Sequence, residues 1–380
     1  MNRPGKAMDT LDKLKILSED SQYDLACACG TTPGEHRRRG ADGKWLYPVS
    51  MPGGGTSILL KTLLSNACVN DCKYCPLRRD SNVRRCSLSP DETARAFMDY
   101  LSRRNIYGLF LSSGVTGTPD QTMERMNAVA SILRRTFRFR GYIHLKIIPG
   151  ASEAAIGQAI SLASAVSLNI ETPGEQHFRK LSGRKLFMED IIRPLKFMAR
   201  MTERGGPFAR VKTTTQFVVG ASDETDDEII RYMFGLYGRL HMRRIYFSAY
   251  QAGLGAAGIP GETAGAPAPA ERLMREHRLY QADFLIRKYG FKAGDFEFDT
   301  VRNLSLEKDP KQCWADNHPD FYPVKINRAD RETLLRVPGF GPLTVARILK
   351  QRASGQLRSL DGLKMRRQSM QNALAFVRFD

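Results

Sequence analysis

Between residues 57 and 250 the chain alternates six short, nearly continuous apolar runs with amphipathic stretches of helical period. The runs cover 57–65 (SILLKTLLS), 106–113 (IYGLFLSS), 142–149 (YIHLKIIP), 165–171 (AVSLNIE), 211–220 (VKTTTQFVVG) and 244–250 (RIYFSAY). Helical patterns lie between them at 90–104, 120–137, 152–163, 189–202 and 225–237. Strands that are apolar on both faces need cover on both, and strands separated by helices pair in parallel. Six such units predict an α/β fold, a partial (β/α)6 TIM-like barrel, although an open doubly wound sheet has the same local pattern. A helix over 271–289 would close the barrel, after a Gly/Ala/Pro-rich loop or linker at 252–270. The expected organisation is an N-terminal extension (1–50), the core barrel (51–290), a connector (291–320) and a small all-α domain (321–380).

A hydrophobic fraction of 42% in 380 residues is ordinary for a globular protein. No stretch approaches the roughly 18 consecutive apolar residues of a membrane helix, and the opening MNRPGKAMDTLDKLKILSED has no apolar signal core. The expectation is a cytoplasmic protein without a membrane partner. The formal net charge is +18, which points to polyanionic partners. The excess is concentrated at the end, where residues 321–380 hold 12 Lys/Arg against 4 Asp/Glu.

Seven cysteines, an odd number, argue for reduced thiols or metal ligands rather than a disulfide framework. Cys68, Cys72 and Cys75 fall in the stretch 66–76 (NACVNDCKYCP), reading C-x3-C-x2-C just after the first strand. Three thiolates on one loop can each bind one iron of a cubane and leave the fourth iron open to a small molecule. Tyr74, an aromatic before the last cysteine, would shield such a cluster. The alternatives are a partial zinc site or three unrelated thiols.

C-x3-C-x-aromatic-C after the first strand of a βα repeat resembles the signature of the radical S-adenosylmethionine (SAM) superfamily. The resemblance implies a [4Fe-4S] cluster on Cys68, Cys72 and Cys75, with the amino and carboxylate groups of SAM on its open iron. It implies cleavage of SAM to a 5′-deoxyadenosyl radical, chemistry that the cofactors carry and the protein positions. Ser112, Ser113 and Gly114 stand where such proteins meet the methionyl amine, without the usual acid. Ser167, Asn169 and Glu171 alternate onto one face of the fourth strand, to bind the ribose or to fill the barrel. Gln216, Gly220 and Asp223, with Glu224 adjacent, resemble the adenine-side pattern. Lys146, on one face with His144, would pair with the SAM carboxylate or snorkel from the barrel end.

Residues 326–352 (INRADRETLLRVPGFGPLTVARILKQR) resemble a helix-hairpin-helix, with Pro338, Gly339, Phe340 and Gly341 in the turn. Free N–H groups opening the second helix suit a phosphate, and Arg347 and Lys350 add charge, giving salt-sensitive backbone binding. A hairpin of this kind can instead be a packing module. A radical SAM core with this hairpin resembles the family of DNA modification/repair radical SAM proteins, through GLFLSSGV, GYIHLKIIPG, VSLNIETP and TTQFVVGASDETD besides the two motifs. That resemblance implies nucleic acid as partner, DNA before RNA, and a link with a uracil-DNA-glycosylase-like protein. A flavodoxin or ferredoxin is the expected electron donor.

Cys27, Cys29, Cys86 and Cys313 match the count for an auxiliary cluster, or are buried apolar thiols. Cys86, and Tyr250 or Tyr246 at the last strand, are candidate hydrogen-atom donors to a substrate radical. The competing functions are an RNA-modifying radical SAM enzyme and a non-catalytic iron–sulfur sensor of nucleic acid.

Overall fold

The computed structural model describes residues 8–21, 46–50, 56–103 and 106–380. The chain divides into two compact units, Met1–Glu224 with Gly235–Arg272, and Thr225–Phe234 with Leu273–Asp380.

The first unit begins with helix α1 (Thr10–Asp20), capped by Asp9, and is built on one seven-stranded sheet. Its strands are β1 (Leu46–Ser50), β2 (Thr56–Leu63), β3 (Gly108–Ser112), β4 (Tyr142–Lys146), β5 (Ala165–Ser167), β6 (Lys212–Val219) and β7 (Arg244–Ala249). They lie side by side in chain order, and β2 to β7 are all parallel. A doubly wound sheet reverses its strand order at a switch point. This sheet never does, so the half-barrel alternative holds and the expected six strands are its six parallel members. The sequence pattern did not disclose β1, which runs antiparallel to β2 with Leu46 opposite Leu60. It carries Pro48, as an edge strand can.

Helices α2 (Pro90–Arg103), α3 (Pro119–Ser131), α4 (Glu153–Leu162), α5 (Glu175–Leu181) and α6 (Arg193–Met201) separate the strands. Thr118 and Gln121 form a capping box that starts α3, and Ser152 caps α4. The strand interiors are dry: Leu111, Ile143, Leu145, Val166, Phe217 and Phe247 are fully or almost fully buried. Strand β5 stops at Ser167 although its apolar run continues to 171. The Thr215 hydroxyl donates to the Leu168 carbonyl (2.8 Å) and accepts from the Ile170 amide (3.0 Å). This side chain takes the place of a backbone ladder, and the chain bulges until Glu171 bridges back to Phe217.

Helix α7 (Asp226–Gly238) starts in the second unit, and α8 (Pro269–Tyr289) runs into it. Buried Asp226 accepts from Arg275 (2.7 Å) and from the Leu304 amide (2.9 Å), so the expected connector is anchored to α7. Within it α9 (Pro310–Asn317) carries Trp314, which stacks on His318. Then follow β8 (Val324–Lys325), α10 (Arg331–Arg336), α11 (Pro342–Arg352), α12 (Arg367–Leu374) and β9 (Val377–Arg378). The C-terminal region is helical as expected, with the addition of a two-residue parallel pair joining β8 to β9. Leu334, Leu335, Val337, Phe340, Val345, Ile348 and Leu363 form its core.

Candidate active site

Parallel strands of a barrel aim their carboxyl ends at one rim, where side chains from different strands converge. A cavity opens there, lined by Leu63 ending β2, Ser112–Gly114 at the end of β3, Lys146–Pro149 at the end of β4, Asn169 and Glu171 after β5, Gln216 and Val218 on β6, and Ser248–Gln251 at the end of β7. Cys68, Cys72, Tyr74 and Cys75 line the same cavity.

The cysteine loop is shaped by groups that sit behind it. Buried Asn66 donates to Asp20 (2.6 Å) and to the Arg84 carbonyl (2.8 Å), and accepts from the Cys86 amide (2.7 Å). Arg85 donates to the carbonyls of Asn66, Leu77, Arg78 and Ser81, so one guanidinium draws both ends of the loop together. Gly114 lies flat on the loop. Its amide donates to the Ser65 carbonyl (2.7 Å), and a Cβ there would stand 2.4 Å from the Ala67 oxygen. Only glycine lets the β3 end and the cysteine loop touch. On the other side Asp71 accepts from Ser182 (2.6 Å) and the Gly183 amide (2.9 Å). Burial pushes the Asp71 carboxyl up, but these donors outweigh it and hold it below the usual range.

That docking brings Lys185 into the site. Lys185 is buried, 5.4 Å over the Phe178 ring, with its ammonium hydrogen-bonded to the Cys72 sulfur. Burial disfavours its charge, yet Cys72 and Glu171 more than compensate and raise its pKa. Sequence reasoning missed Lys185, because only the long-range pairing of Asp71 with Ser182 and Gly183 places it here.

Among the described residues each of the three sulfurs meets a donor: the Val115 amide on Cys68 (3.4 Å), Lys185 on Cys72 and the Leu77 amide on Cys75 (3.4 Å). Burial pushes the thiols of Cys72 and Cys75 up, and in Cys75 the charge of Cys72 pushes further. Thiols that resist ionisation alone, each met by a hydrogen-bond donor, suit a cationic iron cluster, which deprotonates its ligands outright. Among the described residues no three His, Cys, Asp or Glu side chains stand together as ligands of a single metal ion. A zinc site needs its sulfurs about 2.3 Å from one ion, whereas a cubane gives each thiolate its own iron. The residues fit the cluster.

Glu171 has φ +67, a strained conformation for a residue with a side chain. Its backbone is fixed by Gln216 and Val218, and its carboxylate accepts from Asn169 (3.3 Å) and from the Tyr74 hydroxyl. Burial and the Glu171 charge push the Tyr74 phenol well up, so it stays a donor. Tyr74 therefore ties the cysteine loop to the β5 end besides covering it.

The other expected contacts divide. Ser112, Ser113, Gly114, Lys146, Asn169, Glu171 and Gln216 line the cavity. Ser167 does not, because its hydroxyl pairs with His144 (2.8 Å) deeper in the barrel. Gly220 (φ +81) makes a turn whose amide donates to Glu224 (2.6 Å). Asp223 points to Lys180 (2.5 Å) and His177 (3.0 Å) outside the cavity. Burial raises the Asp223 carboxyl, but these partners bring it down to about 2. Tyr250 lines the cavity, yet its hydroxyl is committed to Glu262. Cys86 lies behind the cysteine loop against α1, 3.9 Å from the Lys13 carbonyl, where it faces no substrate. Of the proposed auxiliary ligands, Cys27 and Cys29 lie outside the described residues, while Cys86 and Cys313 belong to different units.

The expected linker at 252–270 is a built wall. Glu262 accepts from the Gly253 and Gly255 amides (2.9 Å each) as well as from Tyr250, and Arg272 donates to the Gly261 carbonyl (2.9 Å). The Ala256 amide donates to the Lys73 carbonyl (2.6 Å), fastening this loop to the cysteine loop.

Once a [4Fe-4S] cluster and SAM are bound, they supply one-electron cleavage of a sulfonium C–S bond. The chain's own residues then orient and exclude water. Cys68, Cys72 and Cys75 would hold the cluster, Lys185 would balance thiolate charge, and Asn169, Glu171 and Gln216, which line the cavity, would offer polar groups to SAM.

A family model described as the radical SAM superfamily matches residues 62–234. No curated protein sequence matches the chain. Among solved structures it is similar to methylornithine synthase (PylB), at 15% identity and a TM-score of 0.46 over 59% of this chain and 62% of that one. It is also similar to the FeFe-hydrogenase maturase HydG from Carboxydothermus hydrogenoformans, at 14% and 0.45 over 60% and 51%. The chain thus spans less than two thirds of the length of either protein. With the three cysteines, their donors and the rim from β2 to β6 inside the matched segment, residues 62–234 are a radical SAM enzyme domain, of the class that works with a [4Fe-4S] cluster and SAM.

Proposed function

We propose that the radical formed in this domain acts on nucleic acid, DNA before RNA, held by the C-terminal hairpin. The observation that carries this reading is the opening of α11. Its N-cap is Gly341, which supplies no side-chain cap, so the Leu343 and Thr344 amides have no helical acceptor. Such donors suit a phosphate. Exposed Lys350 and Lys364 lie in the same basic stretch, and a backbone-reading module with a base-modifying domain calls for a base flipped out or single-stranded. An outside one-electron donor of the flavodoxin or ferredoxin class would reduce the cluster.

Not every expected hairpin residue serves as a contact. Pro338 and Phe340 are buried, and Phe340 belongs to the core. Gly339 (φ +83) gives close approach to its own chain, since a Cβ would meet the Ser369 carbonyl at 2.1 Å. Arg347 donates to the Leu363 and Lys364 carbonyls (3.0 and 3.2 Å). Gly341 opens α11 and Lys350 is exposed, so the proposal retains these two as phosphate contacts.

The test is the reconstituted, reduced protein with SAM, offered duplex DNA, single-stranded DNA and RNA in parallel. The reading expects 5′-deoxyadenosine formation to rise with DNA above the substrate-free rate. It also expects Lys350→Glu with Lys364→Glu to weaken DNA binding about tenfold while substrate-free cleavage of SAM is kept. Equal binding by that variant, or stimulation by RNA alone, refutes it.

A further inference from the structure

Lys311, on α9, is 7% exposed, a position where a charged side chain is costly. Its ammonium donates to the Phe340 carbonyl at 2.6 Å, inside the hairpin turn, and lies 4.7 Å over the Tyr289 ring. Among the described residues no carboxylate pairs with it. Asp309, the acid whose charge acts on it, is occupied in capping α9 through the Lys311 and Gln312 amides (3.0 Å each). Arg336, from α10, faces it as a second cation, itself paired with Asp295 (2.8 Å) and 4.0 Å over the Phe291 ring. A methionine would fill the same volume without this cost, so packing does not explain a lysine.

The peptide between Phe340 and Gly341 supplies the explanation. In a trans peptide the C=O and N–H point in opposite directions. The carbonyl is turned inward to Lys311, so the Gly341 N–H, next to the uncapped Leu343 and Thr344 amides in sequence, is turned away from it. No acceptor for it is found among the described residues. A cation on the carbonyl end also strengthens the donor at the amide end, as coupled hydrogen bonds polarise one another.

We propose that Lys311 is the positioning residue of the hairpin: its buried ammonium fixes the Phe340–Gly341 peptide so that three backbone amides meet one phosphate of a nucleic-acid backbone, and binding is linked to its proton. The inference rests on the nucleic-acid reading above. Desolvation, reinforced by Arg336 and only partly offset by Asp309, pulls the Lys311 pKa down to about 7. Tyr289, which burial pushes up to about 12, does not titrate in the same range. A bound phosphate favours the charged lysine and raises its pKa in the complex. Affinity is therefore highest below about pH 7 and falls as pH rises through the free protein's value, levelling off above that of the complex.

The test measures binding of a fluorescein-labelled DNA duplex to the full chain at fixed salt, at about pH 6 and about pH 8.5. Wild type should weaken about three- to tenfold over that interval. Lys311→Met should bind weakly at both pH values, with no such change, while its thermal melt stays cooperative. Lys311→Arg, charged throughout, should bind at pH 8.5 as the wild type does at pH 6. If Lys311→Met keeps the wild-type slope, the inference fails and the nucleic-acid reading stands. If wild type binds neither this duplex nor the same DNA as a single strand at either pH, the reading fails and takes the inference with it.

Discussion

A lysine and a glutamate decide whether the cysteine loop is a site or a turn. Lys185 meets Cys72 while Glu171 receives Tyr74, so charge, thiolate and aromatic cover belong to one network. Removing one member of a buried charged network costs far more than the pair contributes, on the order of 3–5 kcal/mol. Lys185→Met should therefore lower both iron retention and 5′-deoxyadenosine formation by about tenfold or more. Iron analysis of the reconstituted variant beside its SAM cleavage checks this, and full iron with wild-type turnover would remove Lys185 from the site. The three cysteines were legible because their spacing is local chemistry. Lys185, Arg85 and Lys311 were not, since each acts on a carbonyl or sulfur that the sequence gives no reason to pair with it. Ser167, Gly220 and Asp223 show the converse: period and motif placed them in the cavity, but His144, Glu224 and Lys180 had claimed them.

At the scale of elements, apolar runs foretold the six parallel strands well because both faces of each are buried. They could not foretell where β5 ends, which depends on the Thr215 hydroxyl, nor β1, which is short and edge-placed. The stretch 252–270 was read as a linker from its glycines and prolines, whereas Glu262 gathers Tyr250, Gly253 and Gly255 into a wall. Glu262→Ala leaves those donors without an acceptor, at a cost of about 1–3 kcal/mol. The expected result is faster proteolysis confined to about residues 252–265, with the sheet's protection from hydrogen exchange unchanged. Unchanged cleavage would mean that the loop is held by other contacts.

For the whole molecule, two units divide the work. The first gathers cysteines and polar groups at the strand ends, as the alternation of strands and helices alone implied. The second ends in the densest basic stretch, 12 Lys/Arg against 4 Asp/Glu over residues 321–380, and carries a hairpin whose second helix opens without a side-chain cap. Among the described residues no helix is long and apolar enough to cross a membrane. The central claim is that Cys68, Cys72 and Cys75 hold a cubane with one iron open to SAM. Its most direct test is anaerobic reconstitution followed by iron, sulfide and 5′-deoxyadenosine analysis of wild type and Cys72→Ala. About four irons and four sulfides per chain are expected, with reductive cleavage of SAM, all lost in the variant. Zinc in place of iron, or undiminished cleavage by Cys72→Ala, would contradict it.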